Sequence, residues 1–185
     1  MAGVQKTTII GLKNIHYAIM DSDTATAATY RTPVKIGRAV SVDIQPQIQT
    51  AKLYGDDTLV DSFSVATEYN ITIETTDLPL EDQAALLGHT YESDTMIVKT
   101  SDVAPDVALM FEAPMRGGDI LAVKFYKGKF NETQETINTK GENMEYQVPR
   151  LEGIFTSRFF DDQIIMKKIF AKGTDTSSWY TSVDS

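Results

Sequence analysis

Two alternating stretches around a Gly-Asp-Asp turn constrain this chain more than any other feature of it. Val40, Val42 and Ile44 fall on one side of an extended backbone, with Ser41, Asp43 and Gln45 on the other. Strand side chains alternate with period two, so the pattern predicts a strand with one buried and one polar face. Pro46 interrupts it and predicts an edge position or a bulge, because proline donates nothing to a ladder. Residues 48–54 resume the extended pattern, Gly55-Asp56-Asp57 marks a turn, and residues 58–76 return. In the return, Tyr69, Ile71, Ile73 and Thr75 alternate with Glu68, Asn70, Thr72 and Glu74. Residues 40–76 therefore predict one long β-hairpin, or two strands with an extended tip. Arms of about 15 residues would reach roughly 50 Å, at about 3.3 Å per residue. Ordinary strands run to about 5 or 6 residues, so part of the hairpin is expected to project beyond any core.

The rest of the chain is read around that hairpin. Residues 7–20 are rich in β-branched and aromatic side chains and predict a first strand, and the small, polar stretch 21–33 predicts a loop. Residues 77–88 predict the one helix. Pro79 stands in its first turn, Asp77, Glu81 and Asp82 near its positive end, and Gly88 at its stop. Leu80, Ala84 and Leu87 form the expected apolar stripe. Strands are expected again at 95–100, 106–113, 119–130 and 163–173, with a Gly117-Gly118 turn and a polar arm near 132–148. Phe159, Phe160, Ile164 and Ile165 are expected in the core. The fold class is mainly β: a β-sandwich or half-barrel with one flanking helix and the long hairpin. One domain over residues 1–173 is followed by a polar tail or arm, 174–185, whose aromatic island is Trp179-Tyr180.

Chemistry is sparse. With no Cys, disulfides, thiolate ligands and a Cys nucleophile are excluded, which fits a reducing compartment. The motifs G-x-S-x-G, G-x-G-x-x-G, H-E-x-x-H and the P-loop are absent. His16 and His89 are isolated and make a poor zinc pair, so a structural or surface role is expected. Asp56, Asp57 and Asp61 lack the spacing of a calcium loop and read as a solvated acidic turn. A carboxylate pair for glycoside hydrolysis stays open, because such partners need not be close in sequence. Phe125, Tyr126 and Phe130 interleave with Lys124, Lys127 and Lys129, as on a single-strand nucleic-acid platform. A half-buried strand with a solvated end explains them more simply. No catalytic residue, metal ligand or cofactor is expected. The longest wholly apolar run is residues 107–111, far short of the roughly 20 residues a membrane helix needs. Residues 1–14 hold no long apolar stretch, so neither a secretory signal nor a membrane partner is expected.

Charge is sparse nowhere but unevenly placed. The chain carries 26 acids against 17 Lys and Arg, a formal charge of −9, which argues against a nucleic-acid clamp. Residues 40–82 hold nine of those acids and a single base, Lys52, leaving −8 in one stretch. A segment that is both long and like-charged, in a mostly β chain with strand edges to satisfy, predicts a polymer with an acidic surface.

Four segments carry a resemblance in matching order: IIGLKNIHYAIM, AKLYGDDTLVDSF, LPLEDQAALLGHTY and YKGKFNETQETINTKGENMEYQVPRLEG. Together they resemble the major tail tube proteins of long-tailed, non-contractile phages and prophages of Gram-positive bacteria. The resemblance implies a β-sandwich with a flanking helix, and hexameric rings whose inner strands join into one barrel around a channel. Rings stack into the tube through which DNA leaves the capsid. The implied place is the virion tail, and the host cytoplasm during assembly. The implied partners are other copies of the chain, a tape-measure protein, tail chaperones, and terminator and distal tail proteins, with DNA as passing cargo. A hairpin loop that reaches the adjacent ring matches residues 51–63, with Lys52, Leu53, Tyr54, Gly55, Asp56 and Asp57 at its tip. Strands 40–45 and 68–75 are expected to line the channel and aim Asp43, Glu68 and Glu74 inward; the alternative leaves those acids facing solvent outside. Other β-class assembly proteins (a tail terminator, a secretion-tube subunit, a capsid decoration protein) and a carbohydrate-binding sandwich are the competing readings.

Overall fold

The computed structural model describes residues 8–133, 148–160, 165–170 and 175–183. Ile164 and most of the expected polar arm, residues 134–147, lie outside the described residues. In chain order the elements are β1 (Lys13–Asp23), β2 (Ala28–Tyr30), β3 (Val34–Lys35), β4 (Ala39–Gly55) and β5 (Thr58–Thr75). Then come α1 (Leu80–Leu87), β6 (Thr90–Glu92), β7 (Thr95–Ile97), β8 (Val107–Pro114) and β9 (Ile120–Asn131). β10 (Arg150–Thr156), β11 (Lys167–Phe170) and a 3-10 turn, Ser177–Tyr180, follow. Nine strands form one antiparallel sheet in the order β2-β1-β8-β9-β10-β5-β4, with β3 added on β1 and β11 on β9. β6 and β7 make a separate small hairpin. The architecture is mainly β and sandwich-like with one helix, as the sequence predicts.

β9 is where the sheet divides. One side of it pairs with β8; on the other, residues 122–125 pair with β11 and residues 127–131 with β10. A register shift opposite Val107 and Leu109 lets Phe125 and Phe130 reach the same core although they are five apart. That core joins Ile15, Tyr17, Ile71, Ile73, Leu109, Phe125, Phe130 and Phe155 with Leu86 and Leu87 of α1. A smaller cluster occupies the opposite face of β1, β8 and β9: Ala18, Ala108, Met110, Ala122 and Tyr126 lie beneath Trp179 and Val183. β8 is thus covered on both faces, which accounts for its unbroken apolar run.

α1 is capped as its sequence requires. Gly88 closes it at φ 78°, ψ 20°, and the His89 N–H returns to the Ala84 carbonyl at 2.9 Å. A Cβ on Gly88 would stand 2.2 Å from the Val103 carbonyl oxygen, so both the backbone angle and the space demand glycine. Tyr17 Oη donates to Asp82 Oδ1 at 2.9 Å and ties the helix to β1.

Five expectations need correction. β1 covers Lys13–Asp23 and not residues 7–20, because its pairing with β8 from Glu112 to Val107 sets where it can extend. The stretch 21–33 is not all loop, since β2 folds back onto β1 there. In α1, Leu80 is 47% exposed and Leu86 fully buried; the helix packs against both β9 and the β6–β7 hairpin, so its buried arc is wider than one stripe. Phe159 is exposed, and Lys124, expected on a solvated end, is buried.

Candidate assembly site

The hairpin is the largest feature of the fold. β4 and β5 pair from Ala39↔Thr75 to Gly55↔Thr58, and Asp56 and Asp57 turn the chain with φ of 49° and 57°. Two central residues at positive φ are the geometry of a two-residue hairpin turn whose twist matches the strands. Among the described residues β4 ends the sheet and pairs only with β5, so Pro46 sits on an edge strand as its chemistry requires.

The base of the hairpin has two unlike faces. Val42, Ile44 and Tyr69 pack on the main core beside Ile71 and Ile73. The other face holds Asp43, Glu68 and Glu74 together, since antiparallel partners share a side: Ser41↔Glu74, Asp43↔Thr72, Gln45↔Asn70 and Gln47↔Glu68. Rows continue across the sheet. Glu74 neighbours Arg150, Thr72 neighbours Glu152 and then Asn131, and Asn70 neighbours Ile154 and then Lys129.

Bases therefore share this face, which local sequence could not show, because β9 and β10 reach β5 only through long-range pairing. Each base has its own acid. Arg150 meets Glu152 at 2.7 Å, Lys129 meets Asp106 at 3.9 Å, and Lys127 meets Asp23 at 2.8 Å. Burial pushes the Asp23 carboxyl up, but the Lys127 ammonium and the Phe159 N–H outweigh it and hold the group below its ordinary range. Among the described residues no cation pairs with Asp43, Glu68 or Glu74. Asp43 accepts from the Gln45 amide and Glu74 from the Ser41 hydroxyl, both at 2.7 Å. Neutral donors leave a carboxylate's charge in place, so these three acids carry the uncompensated charge of the face.

Beyond Gln47 the hairpin leaves the core. Residues 45–65 are all exposed, and from Ile48 to Gly55 the arm extends about 26 Å. Both register shifts here lie in β5, at Thr67 and Val60, so β4 keeps its alternation and the polar base face runs on into the arm. There its character changes: Gln49 pairs with Val65, Ala51 with Phe63 and Leu53 with Asp61. Val60 joins them, for a Cβ on Gly55 would touch its Cγ2 at 3.0 Å. Phe63, Val60 and Leu53 are 66%, 65% and 61% exposed. Ile48, Tyr54 and Leu59 are exposed on the reverse. Of the tip residues singled out from sequence, Leu53 and Tyr54 thus point to opposite faces.

A contiguous exposed apolar face on a projecting arm marks a contact surface. The profile of the phage tail tube protein family matches the chain over residues 44–175, from within β4 to the segment after β11. The chain belongs to that family. A tail tube subunit is a structural protein of the virion tail, assembling with its own kind and with other tail proteins. No curated protein matches the chain. Among the described residues of this tail tube protein, no three His, Asp or Glu side chains are grouped to hold a metal ion, and no helix is long and apolar enough to cross a membrane. His89, buried, lies between Asp102 at 2.9 Å and Glu132 at 3.1 Å.

Proposed function

We propose that this chain forms closed rings of six copies that stack into a tail tube, with the β4–β5 arm reaching the adjacent ring and the polar base face lining the channel. The arm carries the reading. A single copy gains nothing from holding seven large apolar side chains in water, whereas a neighbour that buries them stabilises the stack at about 25 cal/mol per Å² of apolar surface. The free edge of β4, interrupted at Pro46, offers backbone for a lateral neighbour, and ring closure would remove that edge. On the channel side, Asp43, Glu68 and Glu74 repel phosphate, so DNA slides without adhering. Screening over roughly 8 Å at physiological salt confines the effect to DNA close to the wall. We assign the chain no catalytic role and no cofactor. Tape-measure, chaperone, terminator and distal tail proteins are its expected partners, a non-contractile tail of a phage of Gram-positive bacteria its setting, and residues 1–173 the tube-forming domain.

Replacing residues 52–62 with Asn-Gly tests the stacking role, because Ala51 and Phe63 already face each other and a two-residue turn can close the shortened hairpin. The shortened chain is expected to keep the far-ultraviolet circular dichroism of a folded β protein and to form no tubes in negative-stain micrographs. Normal tubes from it would refute the role of the arm.

A further inference from the structure

The segment after β11 lies on its own chain, against the sheet face opposite the helix. Trp179 and Val183 are buried there over Ala18, Ala108, Met110, Ala122 and Tyr126. Two buried charges on neighbouring strands hold it. Glu112 of β8, 2% exposed, accepts from Thr176 Oγ1 at 2.6 Å and from the Tyr180 hydroxyl, as well as from Asn14 Nδ2 and Lys13 Nζ of β1. Lys124 of β9, 1% exposed, donates to the Val183 carbonyl and places its ammonium 4.4 Å from the Trp179 ring centre. One end of the segment is thus fixed by an anion in the sheet and the other by a cation. The remaining face of Tyr180 rests against the His16 ring at 4.4 Å.

We propose that residues 175–183 form a latch that acid releases as a unit from an otherwise intact sheet, uncovering the apolar face beneath. The groups around it all act in one direction. Glu112 is buried, which raises its pKa, but its four donors win and hold it below 4.5. A depressed carboxylate contributes stability above that value and loses it as pH falls through its folded pKa. His16 is depressed below 6.5, chiefly by burial, so charging it beneath Tyr180 also opposes closure in acid. Asp175 accepts from the Ser177 N–H at 2.9 Å within the segment itself, which holds its carboxyl below its ordinary range. Once Glu112 is neutral, the charges of the described residues on that face are positive: Lys13 and His16 of β1, Lys35 of β3, Lys124 of β9, and Lys168 of β11 and Arg158 over Tyr126.

Trp179, the only tryptophan in the chain, reports the latch directly. Acrylamide quenching of its fluorescence, followed from pH 7 to pH 3, is expected to rise reversibly while the far-ultraviolet circular dichroism of the sheet is unchanged. Glu112→Gln removes the anion and should shift the closed-to-open balance about tenfold or more at pH 7, the worth of charge-assisted hydrogen bonds. Asp23→Asn, which alters a depressed carboxylate away from the latch, should leave the quenching profile as it is. If Glu112→Gln does not fold, Tyr180→Phe loosens the same contact from the other side and should raise the midpoint of release. Quenching that rises only together with loss of circular dichroism would overturn the latch, since the segment would then be an inseparable part of the core. Quenching unaffected by acid, or by both variants, would overturn it equally. The measurement uses unassembled chain, so its outcome is independent of whether tubes form.

Discussion

Phe63→Ser separates folding from assembly more sharply than any other single change. Phe63 is 66% exposed, pairs with Ala51, and lies on the arm beyond the last residue of the core. An aromatic side chain presents about 200 Å² and two-thirds of it leaves about 130 Å² in water; at about 25 cal/mol per Å² its burial by a neighbour is worth about 3 kcal/mol. Serine forgoes most of that, so each arm contact should weaken by about 2 to 3 kcal/mol, or roughly 30- to 150-fold in dissociation constant. Unfolding of the single copy exposes little that was hidden at this position, so Tm should move by less than about 2 °C for a surface change of this size. The assay is a pair of measurements on one preparation: a thermal melt of unassembled chain, and the concentration at which tubes first pellet. The expected result is an unchanged melt and a critical concentration raised by at least an order of magnitude. Tubes at the wild-type concentration would show that the apolar face of the arm is not the stacking contact. A lowered melt would show that it is packed within the single copy.

Two further changes address the channel and the core. Replacing Asp43, Glu68 and Glu74 together with Lys shifts the balance by six charges per copy; assembled tubes should then retain DNA at low salt and release it as salt rises, read by co-sedimentation. Tubes that form and still ignore DNA at every salt concentration would place those side chains outside the channel. Gly128→Ala puts a Cβ 2.4 Å from the Phe155 ring, which is fully buried and packed 5.5 Å from Phe125 and 5.6 Å from Phe130. Overpacking of this kind should cost about 1 to 3 kcal/mol in a urea titration, and Phe155→Leu in the same chain should restore part of it.

The parts of the fold governed by neighbours in sequence were legible in it. Alternation over residues 41–45 and 68–75 gave the hairpin base with its faces correctly divided, and Pro46 gave its edge; Val40, expected on the buried side, is 50% exposed because the register shifts between Ala39 and Ser41. Pro79 and Gly88 bracketed α1 for reasons of backbone geometry. What was illegible depended on pairing between distant strands. Lys127, Lys129 and Arg150 reach the face of Asp43 only because β10 joins β9 to β5. Lys124 follows the same alternation as any exposed strand lysine, and it is buried because residues 175–183 and Phe170 of β11 come back to cover it. The terminal stretch read as a tail or arm because its composition is polar. Its anchor points are single side chains, Trp179 and Val183, too few to form a periodic pattern.

Pro46 has one more consequence. The outer rim of β4 offers backbone amides that any stray strand could zip onto, the usual start of off-pathway fibrils. Proline cannot serve the β5 side of the ladder, so its missing amide falls on that open rim and breaks the template between residues 39–45 and 47–55. Neither piece is as long as the strand, and the arm twists further at the irregularities opposite Ile48 and Tyr54. A chain that assembles with its own kind can thus keep an adhesive surface for its rightful neighbour while denying a continuous one to misfolded strangers.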